Sequence, residues 1–222
     1  MATLREVRRR DRYIPALRYR WLTPFYDPVM RWVMREGVFK ARLVDMAGIV
    51  AGYRVLDLGC GTATLTILIK RREPNAEVVG VDGDPAVLER ARAKVALAAL
   101  DVRLEPGSAS HLPYPDGSFD RVLSSMVFHH LDRETKERAF REAFRVLRPG
   151  GELHLADFGP PHRRLMRSLA VIGQWLEETT DNVQGLLPGM MRAAGFHGVE
   201  ETARYATPFG TICLSRSQKP TR

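Results

Sequence analysis

The sequence predicts an α/β fold, a mostly parallel sheet with helices on both faces. Two observations carry that prediction. Between Arg54 and Asp157 short apolar runs alternate with longer amphipathic segments, the pattern of strands joined by crossover helices. The first strand then runs through an acid into a glycine-rich turn, Asp57-Leu58-Gly59-Cys60-Gly61, which leads into a helix. Small residues there let the backbone approach a ligand, and the helix N-terminus offers free N–H groups.

The strands are placed at Arg54 to Leu58, Glu77 to Asp82, Val102 to Glu105, Phe119 to Ser124 and Glu152 to Asp157. Between the second and third, Asp84 caps a helix with Pro85 in its first position, and Val87, Leu88, Ala91, Val95 and Ala98 recur at helical spacing. A helix from Arg133 to Leu147 has Asp132 as its N-cap and Ala139, Phe140, Ala143, Phe144 and Leu147 on one face. Pro149, Gly150 and Gly151 follow it. Helices are also expected over Arg164 to Leu176 and Val183 to Ala194, the latter closed by Gly195. An antiparallel hairpin, Gly198 to Tyr205 and Gly210 to Ser215, turns at Pro208.

A chain of 222 residues, 45% hydrophobic and 27% charged, holds one substantial core. It divides into a basic helical cover over residues 1–45 and a main domain over 46–222, with a nucleotide-binding core at 46–157 and a substrate-side helix and hairpin at 158–222. No apolar run is long enough to span a membrane, and the arginine-rich start lacks a signal peptide's apolar core, so a cytoplasmic protein is expected. The two cysteines, Cys60 and Cys213, are too few for a disulfide framework or a four-cysteine zinc site, and no metal is expected. Of the net charge of +8, six units lie in residues 1–50, an excess that suits an anionic partner such as a membrane surface.

The glycine turn by itself is weak evidence. A dinucleotide fingerprint needs a third glycine where Thr64 stands, which disfavours a nicotinamide or flavin. Asp57, Gly59 and Gly61 instead match the acid-x-Gly-x-Gly loop of the class I methyltransferases, and the likeness extends further. Asp82 closes the second strand 21 residues after Gly61, and the segments Leu112 to Asp120 and Arg145 to Gly151 resemble the same family in the same order. Within it the chain most resembles the ubiquinone and menaquinone C-methyltransferase group and related small-molecule methyltransferases, over residues 25–157. The resemblance implies a Rossmann-like, mostly parallel seven-stranded sheet of order 3-2-1-4-5-7-6, with S-adenosylmethionine across the carboxyl ends of the strands.

Carried over by position, the resemblance puts Gly59, Cys60 and Gly61 along the methionine part and makes Asp57 the residue that orders the loop. Asp82 takes the ribose, Gly83 and the pair Ser108 and Ala109 lie by the adenine, and Ser124 stands where the methyl group sits. Tyr26 is implied near the methionine carboxylate. Ser108 and Ala109 depart from the acid and small residue common in the family, and Ala63 replaces a glycine.

A histidine near the methyl donor can take a proton from an acceptor hydroxyl or activated carbon, so His129, His130 and Asp157 are the catalytic candidates. The acceptor is expected to be small or lipid-like. An Asn- or Asp-Pro-Pro-aromatic segment for nucleobase methylation is missing after the fourth strand, and no RNA-binding module accompanies the basic start, so nucleic acid is disfavoured. The alternative function is a protein that binds the cofactor without transferring from it.

Overall fold

The computed structural model describes residues 36–161 and 179–221. Its elements follow in chain order: α1 (Glu36–Ala47), β1 (Arg54–Leu58), α2 (Thr64–Arg72), β2 (Glu77–Asp82), α3 (Pro85–Leu97), β3 (Arg103–Pro106), β4 (Phe119–Ser125), a single 3₁₀ turn (Phe128–His130), α4 (Arg133–Val146), β5 (Leu147–Gly159), α5 (Thr180–Val183), α6 (Leu187–Ala193), β6 (His197–Thr207) and β7 (Gly210–Gln218). The seven strands form one sheet in the order β3-β2-β1-β4-β5-β7-β6, as the family resemblance implied. Strands β1 to β5 are mutually parallel, and β7 runs antiparallel to both β5 and β6.

Local chemistry starts the helices. The Asp84 carboxylate accepts the N–H groups of Ala86 at 2.9 Å and Val87 at 3.4 Å, satisfying donors that the first turn of α3 leaves free. Asp132 does the same for α4 through Thr135 N–H at 2.7 Å, and that bond holds its carboxyl below the usual range. Burial then fixes each helix to the sheet. Ala139, Phe140, Ala143 and Val146 of α4 are fully buried against Leu153, Leu155 and Phe128 on one side of the sheet. The other side is covered by α1, whose Phe39, Leu43, Val44 and Ala47 meet Val55, Leu123, Ala156, Ile212 and Leu214. Each large apolar side chain so buried contributes about 1.5 to 3 kcal/mol.

Three boundaries differ from the sequence expectation. Residues 36–45, counted there with the cover, belong to a helix of the core, because Phe39, Leu43 and Val44 present one apolar stripe to the sheet. The stretch read as one helix over Val183 to Ala194 is two, α5 and α6, broken at Gly185 with φ of 74°. The residues Pro149, Gly150 and Gly151, read as a helix stop, lie inside β5, which starts as α4 ends. The expected helix Arg164 to Leu176, and residues 1–35, lie outside the described residues.

Candidate active site

Parallel strands bring their carboxyl ends to one rim, and there the chain makes two sharp bends. In the first, Gly59 and Gly61 take left-handed φ values of 73° and 54°, and the N–H groups of Gly59 and Cys60 both donate to the Val81 carbonyl, at 2.8 and 3.0 Å. The loop is thereby stitched to β2. A Cβ on Gly59 would lie 2.4 Å from Val127 Cγ2, so the close approach of the loop to the segment after β4 requires glycine. Ala63, also left-handed at φ 60°, is fully buried at the start of α2.

Two carboxylates flank this loop in different settings. Asp82 Oδ2 accepts Gly61 N–H at 2.9 Å and Oδ1 accepts Asp84 N–H at 3.0 Å, so the group is aimed by backbone and each oxygen keeps a lone pair for a ligand hydroxyl. Asp57 is buried at 1% exposure and accepts the Thr66 hydroxyl at 2.6 Å. Burial pushes its carboxyl up to about 6, against the opposing pull of the Thr66 hydrogen bond and the Lys40 charge. Beyond Asp82, the Gly107 N–H donates to the Asp82 carbonyl at 3.0 Å. The loop after β3 is then clasped by α4, where Glu142 accepts Leu112 N–H at 2.7 Å and Arg145 donates to the carbonyls of Leu112 and Tyr114 at 3.0 and 2.7 Å.

The second bend follows β4. Met126 is left-handed at φ 61°, a strained conformation for a non-glycine residue, and its N–H donates to the Ala156 carbonyl at 2.8 Å. The buried carboxylate of Asp157 holds this bend in place. Its Oδ2 accepts the N–H groups of Val127 and Phe128 at 3.0 and 2.8 Å, and its Oδ1 faces His129 Nδ1 at 2.9 Å, Phe158 N–H at 2.8 Å and Asn182 Nδ2 at 3.1 Å. Burial would raise this carboxyl, yet the His129 ring and the backbone donors outweigh it and the pKa is lowered. The rings of His129 and His130 lie 3.9 Å apart, and burial followed by the neighbouring His129 charge lowers His130 to about 4.

An acid-glycine loop at β1 and an aimed carboxylate at the end of β2, on this strand order, can be compared with known proteins. The methyltransferase domain model matches residues 55–151. Demethylmenaquinone methyltransferase of Thermus thermophilus is 42% identical over 143 residues, 63% of this chain and 64% of that protein. The Deinococcus radiodurans protein of the same name is 39% identical over 61% of this chain and 55% of its own length. The chain thus spans a little over half of these two relatives. The ubiquinone/menaquinone biosynthesis C-methyltransferase UbiE of Vibrio campbellii is 30% identical over 87% of this chain and 83% of its own. The chain belongs to this methyltransferase family. Two solved structures share the fold: SibL, an S-adenosylmethionine-dependent methyltransferase, with TM-score 0.69 and 23% identity over 93% of this chain and 60% of its own, and YcgJ of Bacillus subtilis, with 0.64 and 19% over 82% and 97%.

In this chain Asp57, Gly59, Gly61, Asp82 and Gly83 lie at the rim formed by the ends of β1 and β2. The other predicted residues that the structure describes make contacts of their own. Cys60 turns its side chain onto Gly80 of β2, where a Cβ would lie 3.0 Å from it. Burial raises its thiol far above the ordinary range. Ser124 is fully buried and donates to the Leu58 carbonyl at 2.8 Å, making it a strut beneath the glycine turn rather than part of the site surface. Ser108 shares a hydrogen bond with Ser110 at 2.9 Å, Ala109 packs against the α4 side of the core, and Glu105 is engaged by the Tyr114 hydroxyl at 2.6 Å. Asp157, a catalytic candidate by sequence, has both oxygens occupied and is a positioning residue. Tyr26 lies outside the described residues.

Proposed function

We propose that the chain binds S-adenosylmethionine along the rim of β1, β2 and β4 and passes its methyl group to a small, lipid-like acceptor of the quinone-precursor kind. The observation that carries the cofactor assignment is the Asp82 carboxylate, aimed by the N–H groups of Gly61 and Asp84 beside a glycine turn where a Cβ on Gly61 would meet nothing within 4 Å. The family's cofactor fits these residues: Asp82 receives the ribose hydroxyls, Gly83 flanks the base, and the Gly59 to Gly61 backbone follows the methionine chain. When bound, it supplies an electrophilic methyl group on a positively charged sulfur. That charge leaves the protein little to do beyond orientation and proton removal.

Orientation rests on Gly59 and Val127, which fix the wall between donor and acceptor. Proton removal falls to His129. With the carboxylate of Asp157 at Nδ1, the ring is held with that nitrogen as donor, which directs Nε2 to act as base toward an acceptor hydroxyl. Deprotonating a hydroxyl on an aromatic ring makes the neighbouring carbon nucleophilic, the activation that a ring C-methylation needs. The names of the relatives, demethylmenaquinone and ubiquinone/menaquinone methyltransferases, support such an acceptor. The charge excess in residues 1–50 supports peripheral contact with the anionic membrane face on which such lipids reside.

The test pairs calorimetry with S-adenosylhomocysteine against transfer of labelled methyl to a short-chain demethylmenaquinol. Binding weakened about tenfold or more by Asp82→Ala, together with labelled product, is the expected result. Tight binding with no transfer to a quinol or any phenolic lipid would point to a protein that holds the cofactor only.

A further inference from the structure

We infer that Asn182 is a positioning residue for the base, the third member of a buried chain of His129, Asp157 and Asn182 in which its amide fixes the imidazole through a shared carboxylate oxygen. The inference rests on the reading of His129 as the base and adds a residue that the sequence did not single out.

Distances close the chain. Asp157 Oδ1 lies 2.9 Å from His129 Nδ1 and accepts Asn182 Nδ2 at 3.1 Å. None of the three residues is more than 4% exposed. The N–H groups of Val127, Phe128 and Phe158 already hold the carboxylate in place. A carboxylate offers about four acceptor sites, so the ring and the amide must share what is left on Oδ1. The Phe158 ring, edge-on at 4.9 Å, and the His130 ring at 3.9 Å hold the plane of the imidazole. Rotation within that plane is left to the carboxylate, and the amide beside it limits the directions from which the ring nitrogen can approach Oδ1.

Several contacts serve to place this one amide. Asn182 stands on α5, a single turn of four residues, too short to persist by itself. Its neighbour Asp181 accepts Arg133 Nε at 3.1 Å and pairs with the fully buried Lys136, both in the first turn of α4, just beyond the 3₁₀ turn that carries His129. On the other side, the Leu186 N–H donates to the Asp181 carbonyl at 2.9 Å, and a Cβ on Gly185 would lie 2.9 Å from Pro160 Cγ, at the end of β5. Helix α5 is thereby tied to the elements that bear His129 and Asp157. The amide's orientation is dictated as well. Its Oδ1 is buried and meets no hydrogen-bond partner among the described residues, a costly state. Turning the amide over would set that oxygen against Asp157 Oδ1, acceptor against acceptor, so donation to the carboxylate is the contact that fixes the side chain. Asn182 neither gains nor loses a proton in the reaction and acts by geometry alone.

The test follows the ring and the reaction separately. In protein with isotopically labelled histidine, the His129 Nδ1 proton, assigned by its loss in His129→Gln, should give a resolved downfield resonance that broadens by exchange in Asn182→Leu. Asn182→Ser, which keeps a donor on a shorter stem, should lie between the two. With labelled methyl and a short-chain demethylmenaquinol, Asn182→Leu should lower kcat about tenfold, leaving the acceptor KM and the S-adenosylhomocysteine affinity within about twofold. In a His129→Gln background the same substitution should lower kcat by less than about twofold, because both changes act through one imidazole. An amide that serves only the fold would give the same factor in both backgrounds. Should Asn182→Leu fail to fold in a thermal melt, Asn182→Ser decides the matter by the same readouts. An unchanged His129 resonance in a folded variant, or equal losses in the two backgrounds, would overturn the inference. Full turnover in His129→Gln would overturn the base assignment, and this inference with it, even where the resonance responds.

Discussion

The Nδ1 nitrogen of His129 lies 2.9 Å from Oδ1 of Asp157, inside a site where both residues are almost fully buried. The same carboxylate pins the strained Met126 bend through Val127 and Phe128, so a single side chain sets both the imidazole and the backbone around it. Replacing it should affect stability first. Asp157→Ala would leave several buried donors unpaired and should cost about 3 kcal/mol or more. Because its folded pKa is lowered, the ionised carboxyl contributes stability above about pH 4, lost as pH falls through the depressed value. The gap between wild type and Asp157→Asn in urea unfolding should accordingly narrow in acid. Equal stability of the pair at pH 7 would contradict the assignment of Asp157 as an anchor.

The two histidines should separate in kinetics. His129→Gln is expected to lower turnover by a factor of about 10² to 10⁴, with S-adenosylhomocysteine affinity nearly unchanged. His130, lowered to about 4, stays neutral across the working range, and His130→Gln should keep most of the activity. A collapse of both variants would argue for a paired relay.

Cofactor binding should depend on pH through Asp57. In the ligand-free protein its carboxyl titrates at about 6, chiefly because it is buried. A ligand bearing ammonium and sulfonium charges beside it favours the ionised form and lowers that value, so binding in the lower range releases a proton. Affinity for S-adenosylmethionine is expected to be level above about pH 7 and to fall as pH drops below about 6, by up to tenfold per unit. Calorimetry in buffers of different ionisation enthalpy should show proton release near pH 5.5 and little at 7.5. Asp57→Asn should flatten the dependence, and a profile identical to wild type would remove Asp57 from the linkage.

What the sequence showed and what it hid follow from how local each signal is. Asp84 before Pro85 and Asp132 before α4 are caps read from neighbouring residues, and both form. The strand ends at Leu58 and Asp82 were legible because an acid follows an apolar run. The burial of Ser124 beneath the glycine turn was not, since its partner, the Leu58 carbonyl, lies on another strand far away in the chain. Lys40 escaped notice because its burial depends on a helix whose apolar stripe was counted with the arginine-rich start. The break at Gly185 was missed because the apolar spacing continues across it.

The charge of the first fifty residues leads to the last expectation, contact with anionic lipid. Six of the net eight positive charges lie there, and Arg8, Arg9, Arg10, Arg12, Arg18 and Arg20 are followed by Trp21, Phe25 and Trp32. Basic residues near an anionic bilayer are each worth about 1 kcal/mol, and aromatic side chains favour the interface. Such attraction is screened within about 10 Å at 0.1 M salt, so it should weaken steeply as salt is raised. No described helix is long and apolar enough to cross a membrane. Sedimentation with vesicles of phosphatidylcholine alone and with added phosphatidylglycerol, at low and high salt, separates the cases. Recovery with anionic vesicles at low salt, reduced by salt and by charge-neutral substitution of the six arginines, is the expected result. Equal and negligible recovery in every condition would leave the lipid-like acceptor to reach the site without help from the membrane surface.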